Sequence, residues 1–239
     1  MLHTIDTLNR HRRLNAITNK IDSDDWSRWL KHSSVVCFEV LRRERSPGVL
    51  STHAIFPTTA IFSLSSESSN GGAAESNLAG NEGLVGLCRL TNSQGLAMRA
   101  SLQTPGFGIS IPFTFLLREI ESSRNFRRSV LDYASATVRY ATQTCFCYRF
   151  HSIEQQVIKM ILLTLRRTGG NCVEMTHDRI ATILGVRREA VSSTLGRLSK
   201  TKLITQSKCR VAVTSVSALE AQACDCYGAI CRILGYFKP

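Results

Sequence analysis

The amino-acid sequence predicts an α+β chain in three parts, on the strength of three patterns. Short apolar segments separated by turn residues fill the first half. A long stretch free of glycine and proline then repeats apolar residues every three or four positions. Toward the C-terminus, two short helical patterns flank a glycine and lead into two short apolar strands.

The bulk numbers suit a folded chain. Its 239 residues can build one large or two modest cores, with 43% apolar and 20% charged residues. The formal net charge is +12, which favours a polyanionic partner. From His151 onward, 13 Lys/Arg face 6 Asp/Glu, so positive charge is densest there. No apolar run approaches the roughly 18–20 residues of a membrane span. Arg10, Arg12 and Arg13 precede no apolar core, so a secretory signal is not expected. A cytoplasmic location and no membrane partner are therefore expected. Nine cysteines, an odd number, are read as reduced thiols.

From about Val35 to Phe115 the chain reads as β-rich. Val35–Phe38, Ala54–Phe56, Ala60–Leu64 and Gly108–Ile111 are the apolar patches. Ser46-Pro47-Gly48, Ser69-Asn70-Gly71-Gly72 and Thr104-Pro105-Gly106 are the turns between them. A barrel-like or sandwich domain fits this punctuation. The serine-rich stretch from Ser63 to Ser76 reads as a hairpin or loop.

From about Glu121 to Cys147 a long helix is expected. Phe126, Val130, Tyr133, Thr137, Tyr140, Thr144 and Cys147 form one stripe; Leu131, Ala134, Val138, Ala141 and Cys145 form a second beside it. Two stripes fit a helix that packs on its own domain and on a second copy of itself, or a helix with one wide core-facing stripe. A further helix runs from about Ser152 to Arg166, and Gly169-Gly170-Asn171 ends it.

Thr176 is placed to cap the next helix, His177 to Leu184, whose buried face is Ile180, Ala181 and Leu184. Gly185 ends it and Val186 plugs the turn. The following helix, Arg187 to about Ser199, has Val191, Leu195 and Leu198 on its core face. Glu189, Ser193, Gly196 and Lys200 point away, flanked by Ser192 and Arg197, with Arg187 and Arg188 in the first turn. A DNA recognition helix needs this arrangement: first-turn side chains reach base edges and the flanks meet phosphate. Arg188 can clamp the O6/N7 edge of guanine, and Glu189 can accept from the cytosine amino group. Leu203-Ile204-Thr205 and Arg210–Val213 read as the strands of a wing, with Lys208 and Arg210 toward phosphate. The expected DNA-binding set is Thr176, His177, Arg187, Arg188, Glu189, Ser192, Ser193, Arg197, Lys208 and Arg210.

The string THDRIATILGVRREAVSSTLGRLSKTKLI resembles the DNA-binding domain of the CRP/FNR family of bacterial regulators. Ala218 to Ile230 resembles the C-terminal helix of one branch, and His151 to Leu163 the helix after the hinge. Ile55 to Leu64, Asn81 to Leu87 and Arg99 to Gly106 resemble the family's sensor domain. The resemblance implies a cyclic-nucleotide-binding-like β-roll over 1–121, a dimerisation helix and hinge over 122–150, and a winged helix-turn-helix over 151–239. It implies a homodimer on near-palindromic duplex DNA, with half-sites roughly 34 Å apart. Arg188 and Glu189 map onto the family's base-reading pair, and Ser193 onto a third reader that is often arginine. Duplex DNA, a second copy of the chain and RNA polymerase are the partners expected of such a regulator, at the bacterial nucleoid.

The sensor departs from the family pattern. Nucleotide-binding members carry a Gly-Glu turn and an Arg-Ser step, where this chain has Gly86-Leu87 and Arg99-Ala100. The purine-contacting helix positions fall at Tyr140 and Ala141. A degenerate pocket is expected, and no effector is assigned. No cysteine precedes Cys37, so the family's N-terminal iron–sulfur cofactor is not expected. Cys145/Cys147 and Cys224/Cys226 are Cys-x-Cys pairs with shorter spacing than zinc sites use, and neither a metal nor any other cofactor is assigned. Cys209, in the wing, is the thiol whose oxidation would disturb phosphate contact, so a thiol-responsive or effector-independent regulator is the alternative. An enzyme is not expected: there is no phosphate-cradling glycine motif, His-Glu-x-x-His or nucleophile elbow. With 7% aromatic residues and no exposed platform, an RNA-binding module is also disfavoured.

Overall fold

A computed structural model describes residues 5–39, 51–67, 69, 73–90, 99–207 and 209–236. The chain divides into two compact units, Met1–Leu64 with Leu78–Thr137, and Ser65–Asn77 with Val138–Pro239.

The first unit is β-rich, as expected. Strands β1 (Ser34–Phe38), β2 (His53–Pro57) and β6 (Gly106–Pro112) form an antiparallel sheet in the order β1-β6-β2. Ile109 lies between Val35 and Phe56 in register, and all three are buried. A second sheet has the order β4-β3-β5, from β3 (Ile61–Glu67), β4 (Ala73–Ala79) and β5 (Arg99–Thr104), of which the end of β3 and most of β4 are counted in the second unit. The serine-rich stretch read as a hairpin or loop thus supplies strand residues to β3 and β4. The Ser46-Pro47-Gly48 turn and most of Ser69 to Gly72 lie outside the described residues.

Helices in this unit went unread in the sequence. They are α1 (Ile5–Leu14), α2 (Ser23–Trp29), α3 (Leu87–Leu90) and α4 (Phe113–Ser122). Leu8 is the one buried residue of α1, and α2 spans seven residues, too few for a stripe to register. Asp22 caps α2 by accepting from the Asp25 amide at 2.8 Å. This brings Trp29 into the core, edge-on to Phe56, Phe115 and Phe126. The Trp29 indole donates to Glu119 Oε2 at 2.9 Å, and Arg28 reaches the same oxygen at 3.2 Å. The buried carboxylate is therefore both hydrogen-bonded and charge-paired.

The long helix is α5 (Arg124–Phe150), 27 residues. Phe126, Val130, Tyr133, Tyr140, Thr144 and Cys147 of the first predicted stripe are buried, and Thr137 is half-buried. The second stripe is left uncovered in a single chain: Leu131 is 62% and Val138 67% exposed. Cys145 is exposed, and Ala134 and Ala141 are half-buried.

In the second unit, α6 (Ile153–Thr168) opens on a capping box, Ser152 with Gln155, and closes on Gly169 at φ 68°. Residues 156–165 are all buried, as for a helix wrapped by its neighbours. Around it lie α7 (His177–Leu184), α8 (Arg188–Lys200), the terminal helices α9 (Val216–Glu220) and α10 (Asp225–Ile233), and a three-stranded sheet. That sheet has the order β7-β9-β8, from β7 (Cys172–Val173), β8 (Ile204–Ser207) and β9 (Arg210–Val213). The wing differs in detail from expectation. Leu203 hydrogen-bonds back to Leu198 and stays out of the strand, β8 runs on to Ser207, and β7 adds a third strand.

Candidate nucleic-acid interface

The helix-turn-helix is built from local chemistry. The Thr176 hydroxyl accepts from the Arg179 amide at 3.1 Å and starts α7. Gly185, at φ 66°, stops α7 in the left-handed region, where a side chain would cost roughly 1–2 kcal/mol. The Val186 amide then donates to Ala181, which closes the turn. Ile180, Ala181, Ile183 and Leu184 are buried under α7; Val191, Leu195 and Leu198 are buried under α8. Fully burying each of the three α8 side chains is worth about 1.5–3 kcal/mol as an upper figure. This packing fixes which face of α8 meets solvent.

On that outer face Arg187, Arg188, Glu189, Ser193, Arg197 and Lys200 are exposed, and Ser192 is half-buried. A concave recess of about 360 Å³ joins the start of α7 and α8 to the wing. Thr176, His177 and Arg188 line it from the helices, and Gln206, Ser207 and Cys209 from the wing. Of the expected set, the structure thus brings Thr176, His177 and Arg188 to one concavity. Lys208 lies outside the described residues.

Several expected readers have internal partners that the sequence does not announce. Arg188 Nε lies 3.5 Å from Asp178 Oδ1, an exposed pair that steadies the guanidinium at the mouth of the recess. His177 Nδ1 is 2.9 Å from the Ser192 hydroxyl, a cross-link between α7 and α8. Arg197 donates to Glu154 at 3.0 Å, to Ser193 at 3.1 Å and to Thr194 at 3.2 Å. It therefore fastens α8 to the first turn of α6 and orients the Ser193 hydroxyl, so a phosphate contact from Arg197 would compete with Glu154. Arg210 Nε donates to the Cys172 sulfur at 2.7 Å, which raises the guanidinium pKa further. Cys209 is exposed, while the head of Arg210 is turned to Cys172. Asp178 and Glu154 are the positioning residues that the sequence reading missed. Acidic residues in the first turn of a helix are common, and only the fold shows which arginine each one meets.

Outside this face, His151 and three cysteines converge in the second unit: Cys147, Cys224 and Cys226. In the sequence the cysteines stand as two separate Cys-x-Cys pairs, and only the fold brings His151 to them. No helix among the described residues is long and apolar enough to cross a membrane.

A family model described as a Crp-like helix-turn-helix domain matches residues 155–222. No curated protein matches the sequence at a significant level. Among solved structures, the chain is similar to a protein from Eubacterium rectale ATCC 33656 assigned to the CRP/FNR family of transcriptional regulators. The TM-score is 0.66 at 12% identity, covering 87% of this chain and 98% of that one. It is also similar to FixK2 from Bradyrhizobium japonicum, with TM-score 0.61, 13% identity, and 80% and 98% coverage. A CRP/FNR-family regulator from Thermus thermophilus gives TM-score 0.58, 16% identity, and 80% and 98% coverage. At such identities the likeness is one of fold. The chain carries a Crp-like helix-turn-helix domain at residues 155–222, within a fold shared with CRP/FNR regulators.

Proposed function

We propose that this chain is a transcription regulator that binds duplex DNA sequence-specifically, as a homodimer on a near-palindromic site. Arg188 and Glu189 read base edges, and Ser193 makes a shorter third contact. Thr176, His177, Arg187, Ser192 and Arg197 position the helix on the duplex, and Lys208 and Arg210 add phosphate contacts from the wing. Residues 1–121 serve as the sensor-like part, 122–150 as the dimerisation helix and hinge, and 151–239 as the DNA-binding part.

The observation that carries this reading is the outer face of α8. Its core side is locked by Val191, Leu195 and Leu198, and its N-terminal end presents Arg187, Arg188 and Glu189 to solvent, with Arg188 beside the wing residues Gln206, Ser207 and Cys209. The dimer is supported by the uncovered stripe of α5, where Leu131, Val138 and Cys145 recur every seven residues.

A degenerate sensor pocket is supported by what fills the first unit. Phe62 is fully buried and meets Phe38 edge-on at 5.1 Å, among Ile55, Leu64 and Val85. A Cβ at Gly86 would meet the Phe113 ring at 2.6 Å, and Leu87 packs against the core where nucleotide-binding relatives place an acidic residue.

A mobility-shift comparison of duplex and single-stranded probes of one sequence tests the proposal. Preference for duplex, weakening steeply as salt rises, is the expected result. Equal or tighter binding to the single strand would overturn it.

A further inference from the structure

We propose that Cys147, His151, Cys224 and Cys226 form a closed tetrahedral zinc site that ties the end of α5 to the start of α10. All four belong to the second unit. Cys147 lies in the last turn of α5, and the His151 amide donates to the Cys147 carbonyl at 3.0 Å, so the two side chains lie one helical turn apart on one face. Cys224 is the residue before α10 and Cys226 is in its first turn. Four donors thus arrive in two pairs from distant parts of the chain, and each pair is held by helical backbone.

The distances fit one small ion. Zinc binds thiolate at about 2.3 Å and imidazole at about 2.0–2.1 Å, so a tetrahedron has S–S edges of about 3.8 Å and S–N edges of about 3.5 Å. Cys147 Sγ lies 3.8 Å from Cys224 Sγ, and Cys226 Sγ lies 3.4 Å from His151 Nδ1. The four donor atoms all fall within 4.8 Å of one another. An iron–sulfur cluster places its own sulfides between the cysteine sulfurs and spreads them wider. A disulfide needs about 2.05 Å between sulfurs, well inside the distance found.

The surroundings fit the charge. Three thiolates and a dication leave one negative charge in a buried place. Lys159 is 4% exposed and its ammonium stands 4.9 Å over the ring of Tyr148, the residue after Cys147, so a compensating positive charge lies beside the site. Gln143 Nε2 donates to Cys226 Sγ at 3.0 Å, the outer-shell bond a zinc-bound sulfur accepts. Cys147, Cys224 and Cys226 are buried, so water has little access to a fourth position and the site is structural in type. Binding releases the three thiol protons to solvent.

The test uses the full chain, purified reduced, with zinc counted per chain and Co²⁺ exchanged in as a spectroscopic probe. About one ion per chain is expected, with the intense ligand-field and charge-transfer bands of tetrahedral Co²⁺ on thiolates. Cys147→Ser, Cys224→Ser and Cys226→Ser should each weaken Zn²⁺ binding more than about 100-fold, beyond the 10–100-fold of an outer-shell loss. Gln143→Ala should weaken it about 10-fold. Cys145→Ser, at an exposed neighbour, should leave it unchanged, and His151→Cys should keep the ion with an all-sulfur Co²⁺ spectrum. If the serine variants fail to fold, the wild-type and His151→Cys spectra still decide. A wild-type chain with neither stoichiometric zinc nor a thiolate–Co²⁺ spectrum overturns the proposal, as does a Cys147–Cys224 disulfide in the freshly isolated chain.

Discussion

Replacing Leu131 and Val138 together by alanine should convert the proposed dimer to monomer without unfolding the chain. The two side chains are 62% and 67% exposed in the single chain, so their loss costs the isolated fold little. Leu→Ala removes three carbons and Val→Ala two, at about 0.8 kcal/mol per buried carbon. If a partner helix covers the exposed fractions, each chain forfeits about 1.5 kcal/mol at Leu131 and 1.1 kcal/mol at Val138. Twofold symmetry doubles this to about 5 kcal/mol, which weakens dimerisation by three to four orders of magnitude at about 1.4 kcal/mol per decade. Alanine has the highest helix propensity, so α5 itself should persist. Sedimentation equilibrium over a concentration series measures the constant, and circular dichroism checks the fold. Arg139→Ala, about 100° around the helix from Val138, is the control that should not move it. A double variant that dimerises within threefold of wild type would refute the seam, and so would a wild-type chain that is monomeric at micromolar concentration.

Other outcomes follow from single contacts. Arg188→Ala should relax preference at one base pair per half-site by about 1–3 kcal/mol, whereas Lys208→Ala should weaken all sequences alike and flatten the salt dependence; competition binding against single-base variants separates the two. Thr176→Ala removes the acceptor of the Arg179 amide and should cost about 0.5–2 kcal/mol in denaturant titration, largely restored by Thr176→Ser. Glu119→Ala leaves the buried Trp29 N–H without its acceptor and should cost about 1–3 kcal/mol, while Glu119→Gln keeps an oxygen there and should cost less. If zinc fills the four-donor site, a chelator should lower the melting temperature; with free zinc at a thousand times Kd, the ion contributes about 4 kcal/mol.

The DNA-binding end was legible because each of its signals is local. Thr176 as a cap, Gly185 as a stop and Val191, Leu195 and Leu198 as a core face all depend on spacing within one or two turns of helix. The stripes of α5 were legible for the same reason, and the exposure of Leu131 and Val138 follows from the second one. What stayed hidden depends on partners far apart in sequence. Trp26 and Trp29 belong to a seven-residue helix whose stability comes from Phe56, Phe115, Phe126 and Glu119, not from its own pattern. The pairing of Arg197 with Glu154, and of Arg188 with Asp178, needs the helices to be placed first. The strongest omission was the four-donor cluster. Each Cys-x-Cys pair has too short an internal spacing to suggest metal, and only the fold brings Cys147 and His151 to Cys224 and Cys226.

The proposed function requires sequence-specific recognition of duplex DNA by the outer face of α8. Selection of random duplex DNA by the purified chain tests it directly. The predicted result is an enriched inverted repeat with half-site centres about one helical turn apart, in which Arg188→Ala loses preference at one symmetric pair of positions. Enrichment of no sequence, or of a motif unchanged by Arg188→Ala and by Glu189→Ala, would contradict it.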